Sequence, residues 1–347
     1  MRVITVSPNE AGQRLDKLLA KYLDQAPKSF LYKMLRKKNI TLNGRKADGS
    51  EKTVCGDEVR LFLSEETIEG FHTAKTEKLE SSPQVLNGIV YEDEHLLIVN
   101  KPAGELSQKA RKEDVSMNER IVAYLAAQRG REDSFTPGIC NRLDRNTSGL
   151  LIAGKTLAGL QTMAELLRTR SLRKYYLCIV QGDVRKPQKI SGYLKKDETS
   201  NRVTISQDQR EGDEWIETEY APLCRRDKKT LLAVHLITGK THQIRAHLAD
   251  CGFPILGDSK YADTGKIREA RERYHTEHQL LHAYLLVFPA LSGILSQVSE
   301  KTVIAEPPRQ FVRVADQIFG REVWNDAVME FKRSAWLRTG GAHQSDE

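Results

Sequence analysis

Residues 141–156, NRLDRNTSGLLIAGKT, constrain this chain more than any other stretch. Charged and small polar residues from Arg142 to Gly149 give way to Leu150, Leu151, Ile152 and Ala153, the composition of a loop entering a buried strand. A loop anchored on a sheet can show a side chain to a substrate while its backbone stays fixed. Its acidic residue, Asp144, flanked by Arg142 and Arg145, is therefore the first catalytic candidate. The residues alone leave a second reading open, in which Asp144 pairs with a neighbouring arginine and shapes the turn.

Other apolar runs have the length of strands: IVY at 89–91, HLLIV at 95–99, YYLCIV at 175–180 and LLAVHLI at 231–237. Residues 117–129 and 157–167 carry the apolar spacing of amphipathic helices. The charged stretches 189–212 and 214–222 read as edge hairpins, and beyond Ala315 the chain reads as one helical segment followed by a polar tail from Gly340.

The N-terminal part has a different character. Leu15, Leu18, Leu19 and Tyr22 give one amphipathic helix, and Phe30, Leu31, Met34 and Leu35 give a second, for which Ser29 is a candidate cap. Asn43-Gly44 is a hairpin signal, and Gly56-Asp57 leads into the alternating strand EVRLF. Lys28, Lys33, Arg36, Lys37 and Lys38 crowd the second helix, a pattern whose compactness on so small a unit favours a phosphate-binding face over a merely solvated one. Residues 64–83 are polar, lack a period and read as a flexible linker.

Length and composition exclude several classes. A chain of 347 residues is expected to hold two domains. Its net charge of +7 is compatible with a nucleic-acid partner. No apolar run approaches the roughly 18 to 20 residues needed to span a bilayer, so a cytoplasmic protein without a membrane partner is expected. The five cysteines are scattered without a C-x-x-C pair, which argues against disulfides and zinc. No glycine-rich phosphate loop indicates a nucleotide cofactor. His242 and His247, five residues apart, would lie about 140° apart on a helix, unlike a metal-binding pair.

Residues 141–149 resemble the signature H-R-L-D-x-x-T-S-G of the RluA family of RNA pseudouridine synthases; Arg142, Leu143, Asp144, Thr147, Ser148 and Gly149 match, and Asn141 stands in place of the histidine. The resemblance continues in order through VYEDEHLLIVNKPAG at 90–104, where Glu105-Leu106-Ser107-Gln108 departs from the usual continuation. It extends through Lys174, Tyr176 and Gly182 of K-x-Y-x-A-x-V-x-G, with Cys178 in the alanine position. TGKTHQIRAHL at 238–248, with Lys240 replacing arginine, FPILGDSKY at 253–261 and LLHAYLLVFP at 280–289 complete it. At the N-terminus RLDKLLAKYL, KSFLYKMLRKKNITLNG and GDEV resemble the small α-L RNA-binding domain.

The resemblance implies an α+β fold, a mixed, mostly antiparallel central sheet with flanking helices, preceded by that small domain. The expected division is 1–64 for the RNA-binding domain, 65–84 for the linker, 85–315 for the catalytic domain and 316–347 for a helical segment and tail. The implied reaction isomerises uridine in RNA to pseudouridine without cofactor or metal. Asp144 is the implied catalytic carboxylate, attacking the anomeric carbon or removing the neighbouring ribose proton. Arg245 is the basic residue facing it, and Tyr176 is the active-site tyrosine, although strand alternation without the resemblance favours Tyr176 as a core aromatic. Arg14, Lys17, Lys28, Ser29, Lys33, Arg36 and Lys37 would face phosphates of the RNA, and Arg142 would contact it beside the site. The layout is most similar to members acting on large-subunit ribosomal RNA, with a single chain as the active form. Transfer RNA as substrate, or a non-catalytic RNA-binding or ribosome-assembly factor, are the competing readings. A glycosidase would need a second positioned carboxylate, and none stands near these motifs.

Overall fold

The computed structural model describes residues 1–71, 86–128, 135–197, 202–276 and 278–334. Two bodies of secondary structure have separate sheets. The first comprises β1 (Arg2–Thr5), α1 (Leu15–Tyr22), α2 (Lys28–Arg36), β2 (Ile40–Leu42), β3 (Arg45–Lys46), β4 (Glu58–Leu61) and α3 (Glu65–Phe71). Its strands form a sheet in the order β1-β4-β2-β3. Leu15, Leu18 and Leu19 of α1 and Leu31, Met34 and Leu35 of α2 meet in a core of their own. Asn43 and Gly44 both take positive φ, 51° and 72°, as a two-residue turn between β2 and β3 demands.

Three expectations need correction here. Strand β1 lies outside the expected elements and pairs with β4 along its whole length. Ser29 does not cap α2, because Pro27 occupies the cap position and Lys28 is already helical. The stretch taken as linker begins with α3, which buries Ile68 and sets Phe71 against Phe30 at 4.7 Å. Only two apolar residues in seven mark that helix, too few for a period to show. The remainder of the expected linker lies outside the described residues, as do residues 335–347 with the expected polar tail.

The second body comprises β5 (Ile89–Glu92), β6 (Leu96–Lys101), α4 (Met117–Gln128), β7 (Gly138–Ile139), β8 (Ser148–Gly154), α5 (Leu157–Arg168), β9 (Arg173–Gln181), β10 (Gln188–Asp197), β11 (Arg202–Ser206) and β12 (Glu214–Arg226). It continues with β13 (Lys229–Leu236), α6 (Gln243–Asp250), α7 (Thr264–Tyr274), β14 (Leu281–Val287), β15 (Thr302–Ile304), α8 (Arg309–Phe319) and α9 (Arg321–Arg333). The strand order is β11-β10-β12-β13-β9-β14-β8-β6-β5, with β15 added to β14 and β7 to β8. Its pairings are antiparallel except at the junction of β8 and β14, where His282 meets Ser148 and Ala283 meets Gly149 in parallel. Gly149 has φ +112°, and a Cβ there would stand 2.2 Å from the Ala283 carbonyl oxygen, so only glycine allows this approach. The mixed, mostly antiparallel α+β architecture is the one the sequence implies.

Strand alternation sorts side chains between the two faces of this sheet. On β9, Tyr175, Leu177 and Ile179 join the core beneath α7, α8 and α9, whereas Tyr176, Cys178 and Val180 join the core beneath α6. On β8, Leu150 and Ile152 pack with Met163 and Leu166 of α5, and Leu151 and Ala153 pack with Ile121 and Leu125 of α4. Burial on both faces explains why these strands read as unbroken apolar runs.

The C-terminal expectation also changes. In place of one helix beyond Ala315 there are two, separated at Gly320 with φ 86° and ψ 140°. The first begins at Arg309, so the expected boundary at 315 falls inside it, and Phe311, Val314, Trp324 and Phe331 share the core of Tyr175 and Tyr284. Strand β11 is an edge as expected, but β12 is interior, paired on both sides by β10 and β13. Among the described residues no helix is long and apolar enough to cross a membrane.

Candidate functional site

Where β8 begins, the loop before it opens on a cleft of about 1450 Å³. Its backbone is clamped from several directions. The Ser107 hydroxyl donates to the Leu143 carbonyl at 2.8 Å and accepts the Leu143 N–H at 3.0 Å. The Arg145 carbonyl accepts from Gly104 N–H at 2.9 Å and from the Lys101 ammonium at 3.0 Å. Asn141 donates to the Leu150 carbonyl and accepts the Ile152 N–H, which ties the loop's entry to the strand it precedes. The Asn141 departure from the family pattern thus has a structural task, and so does Ser107, which lies in the stretch that departs from the usual continuation.

Lys101 is fully buried, and its ammonium spends all three protons on the carbonyls of Pro102, Glu105 and Arg145. Burial pulls its pKa down to about 8, against the opposing attraction of Glu105 and Asp144. In the sequence it was one letter of a turn motif, with nothing to show that its side chain bridges two loops.

The clamped loop presents Asp144 to α6. Arg245, in the first turn of that helix, donates from Nη1 to Asp144 Oδ2 at 3.0 Å. The other side of the same guanidinium is gripped by Asp258, which accepts from Nε at 2.7 Å and from Nη2 at 3.0 Å. Asp258 is fully buried and also accepts the N–H groups of Lys260 and Tyr261. The Arg245 charge also lies 5.3 Å from the centre of the Tyr261 ring. Burial works against its charged form, but the Asp258 and Asp144 carboxylates outweigh burial and raise its pKa. Asp258 is a residue of this cluster that sequence reasoning missed; its Gly-Asp motif was visible, its partner was not.

His242 stands just before α6 in the left-handed region, φ 55°, so it is not on the helix with His247. Val203 N–H donates to the Tyr261 hydroxyl, and that hydroxyl lies 2.9 Å from His242 Nδ1. The other ring nitrogen, Nε2, lies 3.9 Å from Asp144 Oδ2. His242 has a lowered pKa, from burial first and Arg245 among the opposing charges, with Asp144 pulling the other way. Among the described residues no group of His, Cys, Asp and Glu could hold a metal.

Tyr176 lines the same cleft, 7% exposed, with its hydroxyl making no hydrogen bond among the described residues. Burial, then the Asp144 charge, raises its pKa, so the phenol stays protonated and can donate but not act as a base. The cleft is strongly basic: Arg142, Arg170, Lys174, Lys196 and Lys240 line it against Asp144 and Glu214. Lys240, the second departure from the family pattern, forms an ion pair with Glu214.

The structure therefore brings Asp144, Tyr176, Arg245 and Arg142 to one cleft. Arg14, Lys17, Lys28, Ser29, Lys33, Arg36 and Lys37 belong to the other body, where all are exposed. Ser29, Lys33 and Arg36 share one side of α2 by helical spacing. Arg14 is paired with Asp16 at 2.9 Å, and that carboxylate also accepts the Tyr32 hydroxyl at 2.8 Å.

The profile of the family described as RNA pseudouridylate synthase matches residues 95–250, the span that holds the whole cleft pair, and with this sheet it defines the class: an RNA pseudouridine synthase. The chain is 31% identical over 290 residues to the ribosomal large subunit pseudouridine synthase C of Escherichia coli strain K12, covering 83% of this chain and 88% of that one. It is 32% identical over 289 residues to the protein of the same description from Pasteurella multocida strain Pm70, covering 83% and 86%. Among solved structures, human RNA pseudouridylate synthase domain containing 4 is similar in fold, with a TM-score of 0.54 at 22% identity over 66% of this chain and 92% of that one. The chain belongs to the RluA family of RNA pseudouridine synthases and is an enzyme of that class.

Proposed function

We propose that the protein isomerises uridines of large-subunit ribosomal RNA to pseudouridine in the cytoplasm, acting as a single chain, with Asp144 as the catalytic carboxylate. One observation carries the proposal: a carboxylate 23% exposed, facing a basic cleft, with the guanidinium of Arg245 fixed 3.0 Å behind it by a second, buried carboxylate. Attack at the anomeric carbon and removal of the neighbouring ribose proton both need a charged oxygen at a fixed position, and this arrangement supplies it. Tyr176, on β9 and lining the same cleft, offers a ring for the uracil to lie on and a protonated hydroxyl for a later proton transfer. A base within a duplex cannot reach the cleft, so the target is unpaired or flipped, at a cost of a few kcal/mol offset by phosphate contacts. The relatives' names, which specify the large ribosomal subunit, support the choice of RNA.

The test is Asp144→Asn with uridine-tritiated ribosomal RNA. The variant should release no tritium above background and bind the RNA within about twofold of wild type, since the amide is nearly isosteric and phosphate contacts dominate affinity. Release of label at a rate near wild type would overturn the assignment.

A further inference from the structure

The cations of the cleft differ in one respect. Arg168 is paired with Glu165, Arg170 with Glu217, Lys240 with Glu214, and Arg245 with two aspartates. The Lys174 ammonium makes no hydrogen bond or ion pair among the described residues, although it is half-buried at the start of β9. Its ammonium would lie 3.7 Å from a Cβ built on Gly239, so glycine leaves that side uncovered. Arg142 is likewise without a partner, but it is exposed and hydrated at no cost. A cation withdrawn from water beside another cation is destabilising unless an anion arrives.

Lys174 and Tyr176 are two residues apart on one strand, so they face the same side roughly 6.6 Å apart along it. That spacing matches the separation between a nucleobase and the phosphate of its own or the next nucleotide. Resting on the reading of Tyr176 as the platform for the target uracil, we infer that Lys174, with Arg170 beside it, is the anchor for the backbone phosphate adjoining the target uridine. Burial, and secondarily Arg170, lowers the lysine's pKa to about 8, which leaves it charged near neutrality but weakly solvated, a state that favours a phosphate oxygen over water. Lys174 is a binding residue, not one that touches the reacting bond.

The experiment compares Lys174→Met and Lys174→Arg on a ribosomal RNA fragment containing the target. Lys174→Met should raise KM roughly tenfold to a hundredfold, the loss of one charge-assisted hydrogen bond, with the loss falling on KM and not on kcat. The slope of log affinity against log salt should become shallower by about 0.7, one phosphate contact on a single strand. Lys174→Arg should recover most of the affinity. The melting temperature of Lys174→Met should rise, because an unpaired desolvated charge has been replaced by an apolar chain. A single methylphosphonate at the linkage 5′ or 3′ of the target should weaken wild type and leave Lys174→Met no weaker than before. A fallen melting temperature with unchanged KM and salt slope would make Lys174 a structural residue and overturn the inference. A methylphosphonate penalty equal in both proteins at both linkages would overturn it as well. Neither result touches the assignment of Asp144, whose own test is loss of turnover in Asp144→Asn.

Discussion

Replacing Asp258 with asparagine tests whether the buried carboxylate behind Arg245 is what holds the site in register. The side chain accepts four hydrogen bonds: two from the guanidinium at 2.7 and 3.0 Å, and two from the N–H groups of Lys260 and Tyr261 at 2.9 and 3.2 Å. Asparagine retains one oxygen, best used at Oδ1, where three of the four donors converge. Its amide nitrogen then replaces Oδ2 and points a proton at Arg245 Nε, turning the shortest bond of the set into a contact between two donors. Breaking a buried ion pair costs about 3–5 kcal/mol, and because Asp144 still answers the guanidinium charge the lower end applies, about 3 kcal/mol. For a body of this size that is a fall of roughly 6–12 °C in melting temperature. Arg245 then swings toward Asp144, its remaining carboxylate, and a displacement of about 1 Å at a reacting centre costs about a hundredfold in kcat. Thermal melts and single-turnover tritium release measure the two effects separately. If Asp258→Asn melts with wild type and turns over at its rate, the carboxylate is not the brace described here.

Two further outcomes follow from the geometry. His282 is fully buried with Nε2 on the Ala305 carbonyl and Nδ1 on the Ser148 hydroxyl, and burial lowers its pKa to about 4 from 6.5. The unfolded chain therefore binds the proton first, so stability present above pH 6.5 is lost as pH falls toward 4, by about 3 kcal/mol in total; urea melts across that range should show the slope in wild type, and an equal slope in His282→Gln would refute the source. Deleting residues 1–71, which removes α3 with the core it packs on, should weaken RNA binding and flatten its salt dependence without changing the melting of the remainder. Equal modification of long RNA by the truncated protein would end the recruitment role.

What could be seen in the sequence and what could not divides along physical lines. Strands β6, β8, β9 and β13 are buried on both faces, so each reads as an uninterrupted apolar run, and their positions were legible to within a residue or two. The loop with Asp144 was legible because its polarity changes so sharply at Leu150. Arg245 was visible only through its motif, since 101 residues separate it from Asp144 and no local pattern can report that contact. Asp258 and Lys101 were illegible as functional residues for the same reason: their partners lie on other loops. Helix α3 was hidden because its apolar face is only Ile68 and Phe71, and the break between α8 and α9 because one glycine inside a helical pattern is usually tolerated.

Strand β14 is formed by Leu281–Val287 yet lies in the interior of the sheet, between β9 and β8. During synthesis on a ribosome, a nascent chain that has emerged as far as residue 250 already contains Asp144, Tyr176 and Arg245, but the two half-sheets that carry them lack the strand joining them. Such a product would carry the three side chains without the strand that joins their half-sheets, so the assembled cleft arrives late, with the seam that only Gly149 is small enough to close.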